Sequence, residues 1–512
     1  VVVANPPYIT ARDPGLNQLY RDRFTTCHRS YSLVCPFMER LVDLCDQPGP
    51  DGRGNAGWLA AIVSNAFMKR EFGSKLVEKF LSKWELTSVL DTSGAHIPGH
   101  GTPTVILCMR GRRPIVDVVR AVMGIRGEPR PPEDPSRGLV WTEIVRCVDS
   151  PGAQGDFVSV SDVPREWFTK HPWSLGGGGA ADLKALLDSS PSRVSRIATD
   201  IGYTGQTNSD DAFLADACSF ERHQVERLVW RQLVVGDGVR DWDLEATQFV
   251  LFPYEDERLV DIHSLPGLHR WLWPMRTVLG NRATFSKLTY FKEGRPWWEW
   301  HQVALSRLRT PLSISFAEVA TNTHFALDRG GKVFNRTAPI LKLAATADLD
   351  THLAVLGVLT SSSVCFWLKQ VCHCKGTQGI NEGGKSEKWE QFVEHNAANL
   401  SEVPLPLSGA AVLPLSRLLD SLAQHLAAHL PLALLSPPNA APTRASLDAA
   451  RATAASLRRR QIALQEELDW QVYRLYGLLD DDLTYSASAG PDAVPEVALG
   501  ERAFEIDLAR AM

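Results

Sequence analysis

Val1-Val2-Val3-Ala4-Asn5-Pro6-Pro7-Tyr8-Ile9 opens the chain with four apolar residues that stop at a polar side chain and two prolines. Such a run reads as a buried parallel strand whose carboxyl end enters a stiffened loop. In an open α/β sheet that edge is where ligands bind. The loop has the composition to hold a planar amine. The Asn5 carboxamide oxygen accepts from an exocyclic NH2, the two prolines keep the Pro6 carbonyl out of any ladder, and the Tyr8 ring offers a base a face to stack on. Two acceptors on one amine leave its lone pair less delocalised and aimed at an electrophile. Asn5, Pro6, Pro7 and Tyr8 are therefore the candidate catalytic residues, and methylation of an amino group is the chemistry they suit.

The run resembles the catalytic motif of amino-methyltransferases that use S-adenosylmethionine, a family that includes DNA adenine methyltransferases. The next hundred residues agree with it. Gly57 to Asn65 reads as a second buried strand and Glu71 to Lys83 as an amphipathic helix. Leu86 to Asp91 and Thr104 to Met109 read as two more strands, joined through His96-Ile97-Pro98-Gly99-His100-Gly101. That order is similar to the later half of the methyltransferase fold. Tyr31-Ser32-Leu33, then Ser64-Asn65-Ala66-Phe67-Met68, then the stretch from Asp91 to Thr104, resemble the adenine-specific methyltransferases of the phage growth limitation type, a subtype of the BREX anti-phage systems. The resemblance is strongest over residues 1 to 110. It implies that Asn5 and Pro6 hold the target amine, that Tyr8 stacks on a flipped adenine, and that the His96 to Thr104 loop faces the same pocket.

The 512 residues allow two or three domains, and 44% hydrophobic with 22% charged residues is ordinary globular composition. A net charge of -5 carries no overall basic signature, so a nucleic-acid partner must meet a local patch. Nine cysteines without regular spacing suit a reducing cytoplasm, and no apolar run reaches the roughly 18 residues of a membrane span. Cys27, His28 and Cys35, and likewise Cys372-His373-Cys374, lack the spacing of a four-ligand set, so no metal is expected.

In the commonest motif order of large adenine methyltransferases, a cofactor strand and glycine turn precede the catalytic loop. Only four residues precede Asn5. Val234-Val235-Gly236-Asp237-Gly238 is the nearest later candidate, but its continuation does not start a helix. The expectation is a C-terminal portion of a longer protein, in which Asn5 is the one cofactor contact and the isolated chain neither binds S-adenosylmethionine appreciably nor acts alone.

From Arg112 to about Ser190, short strands alternate with Pro- and Gly-rich loops, and Gly176-Gly177-Gly178-Gly179 reads as a flexible joint. Ile201 to Phe213 resembles the start of the target recognition domain of large adenine methyltransferases. Arg282 to Arg309 holds six basic residues (Arg282, Lys287, Lys292, Arg295, Arg307, Arg309) against two acidic ones, with Trp297, Trp298 and Trp300 among them. Two readings stand: phosphate contacts with stacking aromatics, or a tryptophan-rich core edge with solvated charges. Arg240, Lys292, Arg295, Trp297, Trp298, Lys375 and Lys385 are the candidate DNA contacts, the two latter lysines lying in a Gly-rich stretch. Leu353 to Leu368 reads as one buried helix and Ser446 to Tyr476 as a long one that stops at Gly477. Residues past Ser486 carry no readable signal.

The expected fold is thus α/β: a partial Rossmann-like methyltransferase sheet (1–115), a connecting region (116–192), a mixed α+β target recognition domain (193–435), then a linker and C-terminal helix (436–512). The expected function is N6-adenine methylation of double-stranded DNA within a cytoplasmic phage-defence system, with that system's proteins and the preceding half of the protein as partners. Two alternatives remain: a DNA-recognition and assembly module without catalysis of its own, and part of a restriction-modification fusion.

Overall fold

A computed structural model describes residues 1–48, 55–99, 101–246, 248–375, 392–406, 409–435, 441–485 and 493–506. The chain forms two compact units, Val1–Asp188 with Lys369–Glu394, and Ser189–Leu368 with His395–Met512.

The first unit is built on a six-stranded sheet in the order β1-β2-β4-β3-β5-β6. Its elements are β1 (Val2–Ala4), α1 (Pro14–Arg23), α2 (Val34–Asp43), β2 (Trp58–Ser64), α3 (Ala66–Lys69), β3 (Glu85–Asp91), β4 (Thr104–Arg110), β5 (Val118–Gly124), α4 (Leu139–Cys147), β6 (Val158–Pro164) and α5 (Ala180–Asp188). β1 runs parallel to β2 and β3 parallel to β5, whereas β4 opposes both β2 and β3 and β6 opposes β5. β1, β2, β3 and β5 therefore point one way, and their carboxyl ends at Ala4, Ser64, Asp91 and Gly124 share one edge.

Several expectations are corrected here. β1 is not buried as expected: among the described residues it pairs with β2 alone, and Val1 and Val3 are 91% and 78% exposed. In α2, Val34, Met38, Leu41 and Val42 are buried and form its core face, whereas Phe37 and Leu44 are exposed. Glu71 to Lys83 is not one helix but a 3-10 turn (Glu71–Gly73), a π turn (Leu76–Phe80) and a further 3-10 turn (Leu81–Lys83). The irregular winding keeps Phe72, Leu76, Val77 and Leu81 all in the core. Residues 116–192 are not a mere connection, since they supply β5 and β6 to the sheet. Gly176 and Gly177 belong to it as well: the Gly177 amide donates to Gly124 O at 2.9 Å, and a Cβ on Gly177 would sit 2.7 Å from Met123 O. That close approach, rather than a joint, requires glycine.

The second unit contains two four-stranded sheets. In one, Trp230–Val234 lies between Gln248–Leu251, antiparallel, and Lys332–Phe334, parallel. In the other, Ser313–Phe316 pairs with Phe325–Asp328 and Ile340–Leu343, and the latter with Ala198–Gly202. Val234 to Gly238 closes a tight turn between strands, with the Gly236 amide on Thr337 Oγ1 at 2.8 Å, and no helix follows. Leu353 to Leu368 forms two helices, Leu349–Leu359 and Ser362–Val371, bent by 63°. Among the described residues, no single helix is long and apolar enough to cross a membrane. The long helix Arg444–Leu475 ends as its sequence predicts, with Gly477 left-handed (φ 69°) and the Leu478 amide on Tyr473 O at 2.9 Å. Residues 493–506 pack back on this helix. Val494 is buried, Glu496 pairs with Arg459 at 2.8 Å, and Arg502 lies 3.6 Å from Asp469.

Asp469 is 5% exposed, and its carboxylate accepts from the Ser362 amide at 2.8 Å. Burial outweighs that hydrogen bond and Arg502, raising the carboxyl to about 6. A folded-state value above the unfolded value of about 3.9 means that the group's stabilising share is present below the unfolded value and lost as pH rises through the folded one. Asp469→Asn should therefore gain in melting temperature on the wild type between about pH 4 and about pH 7, read by thermal scans across that window. A constant difference would disprove it.

Candidate functional site

The chain leaves the sheet at Asn5, whose side chain is exposed, while Pro6 is buried and Tyr8 half-buried. The Tyr8 hydroxyl donates to Asn5 Oδ1 at 2.7 Å and lies 3.4 Å from Ile62 O of β2. Burial raises the Tyr8 hydroxyl's pKa, so it stays a donor. An amide oxygen has two lone pairs, and the tyrosine takes one, leaving the other to an incoming amine. Among the described residues, the Pro6 carbonyl accepts no hydrogen bond. The loop's far end is anchored: Ile9 O accepts from the Leu33 amide at 2.8 Å, so the Tyr31-Ser32-Leu33 stretch braces the proline corner.

The same edge is tied together from neighbouring strands. The Asn65 amide donates to Pro103 O at 3.0 Å, and Thr92 and Thr104 join through their hydroxyls at 2.7 Å. The loop from His96 lies between these ties, and His96 Nδ1 is buried without a hydrogen-bond partner among the described residues, which do not include His100.

Sequence reasoning assigned nothing to Lys69 and Asp91, which the fold brings to this edge. Burial lowers the Lys69 ammonium pKa and raises that of the Asp91 carboxyl, and each group's charge partly offsets the other's shift. Lys69 Nζ donates to Lys369 O at 3.0 Å, and Asp91 accepts from the Ser93 amide at 2.9 Å. His373, in the strand His373–Lys375, is held down to about 4 by burial and then by the cations of Arg70 and Lys69. The Lys369 carbonyl that accepts from Lys69 lies 300 positions later in the chain.

The candidate DNA contacts divide. Trp297 is buried against Trp273 and Trp298, Trp298 Nε1 donates to Val260 O at 3.0 Å, and Trp300 Nε1 to Leu251 O at 2.8 Å. These rings close a core, so the stacking role is corrected in favour of the core-edge reading. Arg282 is buried, and Arg295, Arg307 and Arg309 are ion-paired to Glu299, Asp200 and Glu257. Of the six basic residues in that stretch, Lys287 and Lys292 are exposed without an ion pair among the described residues. The exposed aromatic rings of this segment are Phe285, at 72%, and Phe291, at 40%. Arg240 is exposed, with its guanidinium on its neighbour's Val239 O at 2.9 Å. Lys375, in the first unit, lies 3.5 Å from Glu394. Lys385 lies outside the described residues.

Comparison with known proteins points the same way. Residues 1–97 match the Eco57I restriction-modification methylase family, and residues 461–512, unreadable by pattern past Ser486, match a family described only as a domain of unknown function, DUF7008. Among solved structures, the chain is similar to the type IIL restriction-modification enzyme MmeI, determined in complex with DNA. The TM-score is 0.50 at 12% identity, covering 94% of this chain and 55% of that one, a likeness of fold. The resemblance first seen in residues 1 to 110 extends over the whole chain, which is 45% identical over 518 aligned positions to the adenine-specific methyltransferase PglX of Streptomyces coelicolor and spans 42% of that protein's length.

Proposed function

We propose that this chain is the part of an adenine-specific DNA methyltransferase that holds the reacting base and reads the DNA. The observation that carries the reading is the corner after β1, where an exposed Asn5 oxygen with a spare lone pair, an uncommitted Pro6 carbonyl and a braced Tyr8 stand at the sheet's carboxyl edge. A methyl donor of the S-adenosylmethionine type supplies the electrophilic carbon when bound. The pair of acceptor oxygens here fits the amine side of that reaction, and Asn5 is the residue offered to the methyl donor as well. Asn5 Oδ1 and Pro6 O accept the two amine hydrogens, which localises the nitrogen lone pair for attack. The Tyr8 ring gives an extruded purine its stacking face, and its hydroxyl fixes which way the Asn5 carboxamide points.

The second unit, together with Arg240, Lys292 and Lys375, is assigned to double-stranded DNA, and cytoplasmic action in a phage-defence system follows from the same reading. Since the chain spans under half of its relative, the protein that transfers methyl groups is the longer one. The test is incubation of the full-length protein with duplex DNA and labelled S-adenosylmethionine, followed by nucleoside analysis. N6-methyladenine is the expected product. Label recovered only in cytosine, or none at all, would overturn the assignment.

A further inference from the structure

The second unit holds a cleft of about 150 Å3 that the proposed reaction does not use. Five cations, Arg231, Arg307, Arg309, Lys332 and Lys342, line it, against one carboxylate, Asp328. Three of the cations are neutralised. Arg307 is bound to Asp200 at 2.8 Å, Lys332 to Asp328 at 3.1 Å, and Arg309 to Glu257. Two are not. Lys342 is 5% exposed and directs two of its three ammonium hydrogens to Thr310 O and Leu312 O, at 2.6 and 2.7 Å. Arg231 lies over the Phe252 ring with its guanidinium carbon 4.7 Å from the centroid, and among the described residues it has no hydrogen-bond acceptor and no ion pair. Burial lowers the pKa of both groups; Asp328 offsets it in part for Lys342, and no charge offsets it for Arg231. Asp256 and Glu257 lie on the adjoining hollow that Arg231 and Arg309 also line, and Glu257 is already matched by Arg309.

The mouth of the cleft is as bare as its wall is charged. Gly330 and Gly331 are left-handed at φ 97° and 84°, and nothing lies within 4 Å of where a Cβ on Gly331 would stand. A flat guanidinium with five donors and no acceptor, a spare ammonium hydrogen and an unshielded backbone turn suit a compact oxyanion with several acceptor oxygens. We propose that this cleft binds a phosphate group, and that in the working protein the group is a backbone phosphodiester of the DNA. The proposal rests on the reading of the chain as DNA-acting; it adds a contact that positions the duplex without reading its bases.

The experiment uses the full-length protein with specific and scrambled duplexes over a range of salt. Arg231→Gln should weaken both duplexes by the same factor and reduce the slope of log K against log salt by about one. Because Arg231 also packs on Phe252, a second pair of variants leaves the core untouched. Gly331→Asp should weaken both duplexes relative to Gly331→Asn, which differs from it only in charge. Equal affinities in that pair, with an Arg231→Gln slope like the wild type's, overturn the proposal while duplex binding itself leaves the parent reading standing. Titration with inorganic phosphate, followed by 31P line broadening, separates the sources. Broadening that Arg231→Gln abolishes, without any change in duplex slope, overturns the DNA assignment in favour of a free anion. A full-length protein that binds no duplex at all overturns the parent reading and this one with it.

Discussion

Asn5→Ala is expected to lower methyl transfer by the full-length protein about 10²- to 10³-fold, the size of effect found when one preorganised polar group at a reacting centre is removed. Duplex binding and melting temperature should stay near wild type. The side chain is exposed, and its one hydrogen bond, from the Tyr8 hydroxyl, is also exposed and worth at most about 1 kcal/mol. What is lost is the oxygen that draws on the amine, so the loss should lie in kcat rather than in DNA affinity. Asn5→Asp keeps an acceptor oxygen and should retain more activity than alanine. Tyr8→Phe separates the tyrosine's two parts: the ring stays, while the hydroxyl that orients the carboxamide goes. A fall in kcat smaller than that of Asn5→Ala is expected for it. An Asn5→Ala protein that methylates at the wild-type rate would remove the corner from the mechanism.

That corner was legible because covalent geometry writes it locally. Proline fixes its own backbone and denies a ladder hydrogen bond, so an apolar run ending in Asn-Pro-Pro marks a strand end whatever surrounds it. The strands β2 and β4 were legible for a similar reason, being continuous apolar runs bounded by polar residues. The misreadings share a different cause. Lys69 and Asp91 stand at or just beyond the ends of legible strands, but the Lys369 carbonyl that holds Lys69 is 300 positions away, and nothing within a window of residues announces it. The segment after residue 116 was read as a connection because its turns are rich in Pro and Gly, yet the strands between them close the sheet. Composition counted six cations between Arg282 and Arg309 without seeing their partners. An arginine contributes its full charge to a DNA-facing potential only if no carboxylate nearby has already matched it, and pairing is a property of the fold.

Arg282 is the extreme case, and its replacement is expected to have the largest effect on stability. It is 7% exposed and donates to four carbonyl oxygens: Leu279 at 3.0 Å, Thr207 at 2.6 Å, Trp297 at 3.0 Å and Glu299 at 2.7 Å. Its guanidinium carbon stands 4.4 Å from the Tyr290 ring centroid and 5.7 Å from that of Phe213. One side chain thus joins the loop at Thr207, the helix Arg276–Gly280 and the tryptophan layer at Trp297 and Glu299, and a planar fork is the shape that reaches all of them. Arg282→Met fills much of the volume but strands the carbonyls, and a loss of about 3–5 kcal/mol is expected, as when a buried charge network loses one partner. Arg282→Lys restores the charge with only three hydrogens on a flexible stem, so it should recover part of that loss and no more. Urea unfolding followed by tryptophan fluorescence reports on this layer directly, since Trp297, Trp298 and Trp300 all lie within it. A loss below about 1 kcal/mol for Arg282→Met would mean that the four carbonyls find other donors, and it would return Arg282 to the candidates for phosphate contact.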